Sequence, residues 1–497
     1  MSKQYEQTDS NLIESISQQL NLYDNLFPQV ENGELKVLFA LTRIYLARCD
    51  NPKLKQEQIM IDPSLTKRLA LTYFDPFTAP ATRNIRDALI SRLTSIRKYR
   101  ITKPEVVRRT LITCLAPEGR RIRTKQKLYL DTFMKNPGSS YTEIAKQLGF
   151  SPQAVSHASN SLQKSSLLRF YGYINYPMFK LRHFIVFFNI LEEYRGKDEY
   201  LRRLLFDNLP FALNLNSDVY EGSSWASFVI PNHSKELNEF KESLNELKGE
   251  VFRDINLVEL KSFSTGSNLE FFDGRSWFFD PQLWAYGFFE FIRENKEISR
   301  KAAEFHYSAE PLVFDRKDFL IAAICATDPL ISHSEIKKRL TQFGYGISRP
   351  TVTRKINRLM SAENQSLNGG GEKQPAIYPY MTYWGLGLDN LNAYLIECDE
   401  EQVEELRYAV GYLPYYFLYR TDRGVLLFIK SAASEAAKIN YMIKGINEIT
   451  VVASSNRFEN IGGRSLIHLY EKWNDSRQQW TRLDGELNFL RRYESLP

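Results

Sequence analysis

The stretch SYTEIAKQLGFSPQAVSHASNSLQKSSLLRFYGYINYPMFKLRHFIVFFNIL, residues 140–191, decides the fold because residues 332–398 repeat its pattern. The second copy reads SHSEIKKRL, then SRPTVTRKINRLM after five extra residues, and later AIYPYMTYWGLGLDNLNAYLIEC. Glu143 and Leu148 of the first copy align with Glu335 and Leu340 of the second. Repeated units of this kind fold as successive modules, so the repeat predicts the architecture.

Each copy begins with the pattern of a helix-turn-helix. Residues 129–134 and 319–324 have the i, i+3, i+4 apolar spacing of an amphipathic helix, and a proline ends each helix. A short second helix follows. Ser151 and Ser348 are predicted N-caps of the third helix in the two copies.

The third helix carries a polar face in both copies. Its residues are Gln153, Ser156, His157 and Asn160 in the first copy, and Arg349, Thr351, Thr353, Arg354, Asn357 and Arg358 in the second. Amide, hydroxyl and guanidinium groups read base edges in the major groove, so we predict that these residues contact DNA. The alternative is an ordinary solvated face. The third helix of the second copy has four basic residues between 348 and 360, whereas the third helix of the first copy has none between 151 and 163. We therefore expect the helix of the second copy to bind DNA more strongly.

The order strand, helix, strand, strand, helix, strand follows each helix-turn-helix. The first set of predicted strands and helices runs from about 183 to 262, and the second from about 391 to 456. Its strands are rich in Phe, Val, Ile and Tyr, as half-buried strands are. This order predicts a ferredoxin-like βαββαβ domain in each half of the chain. An aromatic tail, entered through a Gly-x-x-Leu step, follows each domain and reads as a hairpin, with Trp277 and Trp480 in comparable places.

A winged helix-turn-helix followed by a βαββαβ domain resembles the Lrp/AsnC (feast/famine) regulators. The stretches SYTEIAKQLGFSPQAVSHASNSLQ, LLRFYGYINYPMFKL and IYPYMTYWGLGL carry the resemblance, which covers roughly residues 125–262 and 313–458. The family implies sequence-specific binding of double-stranded DNA, dimerisation through ACT/RAM-like βαββαβ domains, and a small amino-acid-like effector. We expect an archaeal, cytoplasmic and nucleoid-associated protein.

This chain departs from the family in fusing two unequal copies. An internal pseudo-dimer can therefore replace the homodimer, and either assembly is compatible with the sequence. Gly222 and Gly424 lie in the turn that resembles the effector loop of the family, but the residues around them differ between the copies. A tight hairpin that needs a positive φ is the alternative reason for these glycines.

Composition excludes several classes of site. No run of about 18 apolar residues is present, and the first 15 residues lack an apolar signal region, so we expect no membrane contact. The four cysteines and six histidines have no metal-ligand spacing, and no phosphate-binding glycine loop occurs. We therefore predict no metal, no cofactor and no catalytic residues.

The basic residues are concentrated near the N-terminus. Between Lys67 and Lys127 there are sixteen Lys or Arg against four Asp or Glu. Such a stretch is typical of a nucleic-acid contact, although a solvated basic face is the alternative. A strongly helical segment at 34–48 and a second helical segment near 65–72 predict a third, degenerate helix-turn-helix at about 33–110. Arg83, Arg86, Arg97 and Lys98 would then contact phosphate, together with Arg92.

The predicted fold class is α+β, with tandem winged helix-turn-helix domains, two ferredoxin-like domains and a basic helical N-terminal domain. The predicted boundaries are 1–124 for the N-terminal domain, 125–180 and 313–388 for the winged helices, 181–280 and 389–459 for the βαββαβ domains, 281–312 for a linker helix, and 460–497 for a C-terminal hairpin and tail.

Two other functions are compatible with the sequence. A chromatin-like architectural protein would coat DNA regardless of sequence. An enzyme is the other alternative, because the siroheme decarboxylases also resemble a winged helix joined to this βαββαβ fold. Their chemistry implies histidine and basic residues around a tetrapyrrole. The βαββαβ segments hold His183 and His233 in the first copy and no histidine in the second.

Overall fold

The structure, a computed structural model, describes residues 23–31, 33–51, 83–102, 107, 110–111, 122–136, 138–164, 167–194, 197–207, 209–218, 223–272, 277, 280, 284, 304–307, 310–361, 374–383, 386–388, 390–432, 435–445, 449–456, 458–481, 489 and 493. The chain divides into two compact units, one made of residues 1–121, 156–168 and 383–387 and the other of the remaining residues. Helices and antiparallel sheets build the chain together, which confirms the α+β class.

In the first unit, α1 (Gly33–Asp50) and α2 (Arg83–Lys98) share a buried core. Leu38, Tyr45, Leu89 and Leu93 lie in it and are fully buried. The helix predicted at 34–48 is confirmed. The helix predicted near 65–72, the middle helix of the predicted third helix-turn-helix, falls outside the described residues.

The segment predicted as the first helix-turn-helix contains the helices α3 (Thr124–Lys135), α4 (Tyr141–Leu148) and α5 (Pro152–Lys164), and the strand β1 (Leu168–Ile174) comes next in the chain. Ser140 caps α4 by accepting from the Glu143 N–H, and the Glu143 carboxylate accepts from the Ser140 N–H in return. Ser151 caps α5, because its hydroxyl accepts from the Ala154 N–H at 3.2 Å.

The first βαββαβ segment comprises β2 (Leu181–Ile190), α6 (Asp198–Arg202), β3 (Ala212–Asp218), β4 (Ser223–Pro231), α7 (Ser234–Glu246) and β5 (Phe252–Glu259). After α6 the chain makes a π-helical turn at Arg203–Asp207. Two short strands come next, β6 (Ser262–Gly266) and β7 (Phe305–His306).

The second copy has the same order. It contains α8 (Arg316–Thr327), α9 (His333–Gln342), α10 (Arg349–Met360), β8 (Ile377–Tyr383), β9 (Asn390–Glu397), α11 (Glu400–Ala409), β10 (Tyr415–Arg420), β11 (Gly424–Ser431), α12 (Ala436–Lys444) and β12 (Thr450–Asn456). The strands β13 (Phe458–Gly463), β14 (Trp473–Asn474) and β15 (Gln479–Trp480) complete the described elements.

The two large sheets exchange strands. One has the order β13-β3-β4-β2-β5 and the other the order β12-β9-β11-β10-β6-β7. The last strand of the first segment was expected to continue to residue 262, but it ends at Glu259, and β6 pairs with β10 in the other sheet. In the same way β13 follows β12 in the chain and pairs with β3. Each half of the chain therefore supplies a strand to the sheet of the other half.

The inner faces of the two sheets pack against each other. Ile185, Phe187 and Trp225 of the first sheet share one buried cluster with Leu395 and Phe428 of the second. The Trp225 and Phe428 rings meet edge to face, with centroids 5.3 Å apart. Removing these apolar side chains from water stabilises the contact between the two sheets.

The helices α8, α9 and α10 share a core with the first βαββαβ segment. Phe319 of α8 lies in the same core as Phe240 of α7, and the Phe319 ring is 5.4 Å from that of Phe179. The hairpin β14–β15 joins this core through Trp473 and Trp480, which are paired across the hairpin. This short hairpin lies within the predicted C-terminal segment and is preceded there by the 3-10 helix Leu466–Lys472, and its tryptophans are core residues.

Strands β1 and β8 pair as a separate two-stranded sheet. Gly172 of β1 permits a close approach to α8, because a Cβ there would lie 2.7 Å from the Cys325 carbonyl oxygen. The strands that follow the two helix-turn-helix motifs are thus joined to each other.

Candidate nucleic-acid interface

The helix α10 has one buried and one exposed face. Val352, Ile356 and Leu359 are buried, whereas Arg349, Arg354 and Asn357 are exposed. Thr351, Thr353, Lys355 and Arg358 are half-buried. Ser348 is the N-cap, and its hydroxyl accepts from the Thr351 N–H at 3.3 Å, which confirms the predicted cap.

A cluster of opposite charges holds α10 against α8. The Lys355 ammonium lies 2.8 Å from Asp318 Oδ1 and 3.1 Å from Asp315 Oδ2, and Arg358 Nη2 lies 2.7 Å from Asp318 Oδ2. Burial acts to raise the pKa of Asp315, but the Asp318 N–H and the Lys355 ammonium outweigh it and lower that pKa. Two of the four cations counted on this helix are therefore paired within the protein.

A hydrogen bond also joins α9 to α10. His333 Nδ1 and Thr353 Oγ1 are 2.9 Å apart. Thr353 therefore has a partner within the protein, whereas Arg349, Arg354 and Asn357 present their side chains to solvent. The arrangement brings three of the six predicted residues of α10 to one open surface.

The face of α5 is polar and uncharged. Gln153, His157 and Asn160 are exposed, and Ser156 is half-buried. Helix α5 has no Lys or Arg before its last residue, Lys164. Its exposed groups can donate and accept hydrogen bonds but supply no charge to neutralise phosphate.

In the first unit the predicted cations of α2 divide into two groups. Arg86 pairs with Asp50, with Nε 2.8 Å from Oδ1, and its guanidinium also contacts the Tyr23 hydroxyl. Arg97 donates to the Asn25 carbonyl. Arg83, Arg92 and Lys98 are exposed. The exposed cations of this helix fit a phosphate contact better than Arg86 does.

A cavity of about 350 Å³ lies between the two large sheets. Asn189, Ser223 and Arg253 line it from the first sheet, and Lys444 and Ser454 line it from the second half of the chain. Sequence reasoning did not find this cavity, although Ser223 directly follows Gly222 of the predicted effector loop. Gly222 itself lies outside the described residues.

The backbone conformation and a close backbone contact explain why residue 424 is glycine. Its φ is +139°, and a Cβ there would clash with the Ile396 carbonyl oxygen and lie 2.8 Å from the Cys398 nitrogen. Gly424 is not among the residues that line the cavity. The close contact between β11 and β9 therefore accounts for this glycine.

His183 lies in a buried network of hydroxyl groups. Its Nε2 is 2.8 Å from Ser227 Oγ, and its Nδ1 is 3.2 Å from the Tyr307 hydroxyl. Burial lowers the pKa of His183 to about 3, so the ring is neutral at physiological pH. Among the described residues no group of His, Cys, Asp and Glu could hold a metal ion, and no helix is both long and apolar enough to cross a membrane.

No protein-family model and no curated protein matches the sequence. Among solved structures, the crystal structure of the siroheme decarboxylase NirDL is similar over 75% of this chain and 98% of that chain, with 10% identity and a TM-score of 0.40. NirDL in co-complex with an iron-uroporphyrin III analogue is similar over 74% of this chain and 100% of that chain, with 11% identity and a TM-score of 0.40. At this TM-score the likeness assigns neither a family nor a function to this chain.

Proposed function

We propose that the protein is a regulator of transcription that binds duplex DNA through α10. The observation that carries the proposal is the open face of this helix, where Arg349, Arg354 and Asn357 are exposed together above a buried apolar face. Arginine contacts guanine and asparagine contacts adenine through paired hydrogen bonds in the major groove. Residues near the start of a recognition helix reach the bases first.

The ion-pair cluster supports this role. Lys355 and Arg358 hold α10 against Asp315 and Asp318 of the neighbouring helix or its cap. A helix that is fixed in this way presents Arg354 in one orientation before DNA binds, which lowers the entropic cost of association. The proposal therefore assigns Lys355 and Arg358 to positioning and Arg349 and Arg354 to contact.

The same proposal includes the identity and arrangement of the domains. Each half has the order helix-turn-helix and then βαββαβ, which supports tandem winged helices, each followed by an ACT/RAM-like, ferredoxin-like domain. The packed inner sheet faces and the exchanged strands support an internal pseudo-dimer in one chain. The two recognition helices, α5 and α10, would then read two half-sites.

A small amino-acid-like effector is the second partner in this proposal. The cavity between the sheets supports it, because Arg253 and Lys444 supply positive charge for a carboxylate, and Asn189, Ser223 and Ser454 supply hydrogen-bonding groups. A ligand bound there would contact both halves of the chain.

The enzyme alternative has a specific difficulty. Of the two histidines on which it depends, His233 is half-buried, whereas His183 is only 7% exposed and both of its ring nitrogens contact hydroxyl groups. A large planar ligand would have to displace this network to reach the ring. Absorbance of the protein with added iron-uroporphyrin tests the point, because a shifted porphyrin band that is lost in His183→Gln would favour the enzyme.

The experiment that tests the proposal is a titration of a fluorescent duplex with the full chain at increasing salt. If about six phosphates are neutralised, the logarithm of the affinity falls against the logarithm of the salt concentration with a slope near −5. Arg349→Gln should reduce the slope by about 0.9, whereas Lys438→Gln, an exposed lysine on α12, should leave it unchanged. Affinity that does not change with salt, or equal slopes for the two variants, would overturn the proposal. The ratio of specific to non-specific affinity separates a regulator from an architectural protein.

A further inference from the structure

The C-terminal turn of α2 holds an exposed aromatic ring among cations. Tyr99 is 68% exposed, and Arg97, Lys98 and Arg100 beside it are exposed as well. Residues 88–103 contain five Lys or Arg and no Asp or Glu. The Tyr99 ring is open to solvent and its charged neighbours in the chain are cations, so the turn combines a stacking surface with charges that attract phosphate.

The turn is ordered, so the exposure of Tyr99 does not result from fraying. The Ile101 N–H donates to the Ile96 carbonyl at 3.0 Å and the Arg100 N–H donates to the Arg97 carbonyl at 3.2 Å. These two bonds form a Schellman motif, and Ile101 packs against the core of the first unit. Tyr99 therefore stands at a fixed position at the end of the helix.

Arg100 occupies the position where such a motif favours glycine. Its φ is +51°, in the left-handed region, which costs a residue with a Cβ about 1 kcal/mol or more. A strained backbone at a non-glycine residue points to a use for its side chain. Here the side chain adds a cation next to the Tyr99 ring.

We infer that Tyr99, Lys98 and Arg100 form a contact for single-stranded nucleic acid, separate from the duplex contact proposed for α10. An open aromatic ring stacks on a base whose face is free, and only unpaired bases offer that face along a strand. Lys98 Nζ lies over one face of the Tyr99 ring, 5.4 Å from its centre, so the opposite face is left for a base and a cation is in place for the flanking phosphate. An acidic peptide would use the charges but would leave the ring without a partner.

The test measures binding of the full chain to a fluorescent oligothymidylate. Tyr99→Ala should weaken binding by about 5- to 150-fold, and Tyr99→Trp should retain it, because stacking on an aromatic ring contributes on this scale. Tyr441→Ala is the matched control, since Tyr441 is 81% exposed on α12 and lies near Lys438 and Lys444. Equal affinities of Tyr99→Ala and Tyr441→Ala would overturn the inference, and so would an oligoglutamate that competes as well as the oligothymidylate does.

A second variant separates binding from folding. Arg100→Gly removes the backbone strain, so the variant should be at least as stable as the parent. It should nevertheless bind the oligothymidylate more weakly and lower the salt slope by about 0.7. An unchanged slope would contradict the role of Arg100. Duplex binding by α10 is measured on the same proteins, so failure of this inference is distinguishable from failure of the proposed function.

Discussion

Lys355 Nζ lies 2.8 Å from Asp318 Oδ1, and the Asp318 side chain is only 3% exposed. This contact ties the proposed recognition helix α10 to the first helix of its own helix-turn-helix. The same carboxylate also receives Arg358. The surface that α10 offers to DNA is therefore less basic than its sequence, and Arg349 and Arg354 carry the exposed charge.

Replacing Asp318 by Asn should destabilise the protein. Two cations would lose their buried counter-charge, and breaking such a pair costs roughly 3 kcal/mol. Urea unfolding measures the change in the free energy of unfolding. Asp131→Asn is the control, because Asp131 pairs with Lys135 at 2.5 Å on the surface of α3 and its loss should cost less than about 1 kcal/mol. Equal losses in the two variants would show that the cluster does not stabilise the helix-turn-helix.

Gly424→Ala should be strongly destabilising. The new Cβ would meet the backbone of β9 and the residue would keep a φ of +139°, so we expect a loss of about 3 kcal/mol or more. Gly149→Ala provides the comparison, since Gly149 has a φ of +68° but open space around its Cβ position, and about 1 kcal/mol is expected there. Thermal unfolding of the two variants measures the difference. A melting temperature of Gly424→Ala equal to or higher than that of Gly149→Ala would contradict the close contact between Gly424 and β9.

The stability of the protein should fall on acidification partly through His183. Burial lowers the pKa of His183 to about 3, below its value near 6.5 in the unfolded chain. Between these values the unfolded state binds more protons, so this contribution is present above pH 6.5 and is lost as the pH falls. At pH 5 the loss is about 2 kcal/mol. His183→Gln should show a shallower dependence in this range. His468, whose pKa burial also lowers, stays in both proteins, so the difference between them isolates His183. Parallel pH profiles would contradict the buried neutral ring.

The exchanged strands predict a single-chain assembly. Because β6 and β13 each complete the sheet of the other half, the two sheets are already paired within one chain. Light scattering should therefore give a mass near 58.0 kDa. A species of twice that mass that persists on dilution would favour a homodimer and leave the internal pseudo-dimer unsupported as the functional assembly.

Local patterns predicted much of this fold. The caps Ser151 and Ser348 and the apolar spacing of the third helices depend on neighbours three or four residues away, so the sequence alone reveals them. The exchange of β6 and β13 depends on which sheet edge is open, and a run of strand-forming residues carries no such information. The predicted first segment therefore ran to residue 262, although its last strand ends at Glu259.

For the candidate interface, too, the sequence revealed the local features but not those that depend on contacts between distant residues. The residue types on α5 and α10 could be read from the sequence, and so could their difference in charge. Which cations are neutralised could not be read, because Asp318 and Lys355 are 37 residues apart and meet only when α8 packs on α10. The cavity between the sheets was missed for the same reason, since its lining comes from both halves of the chain.

The most direct measurement of the central claim is selection of bound duplexes from a random pool by the full chain, followed by sequencing, for the parent protein and Arg354→Ala. We expect the parent protein to enrich one sequence motif. Arg354→Ala should lose preference at one base pair and weaken binding to the motif by about 1–3 kcal/mol, and His157→Ala on the uncharged helix α5 should lose less. A parent protein that enriches no motif, or an Arg354→Ala protein that enriches the same motif with the same affinity, would contradict duplex reading by α10.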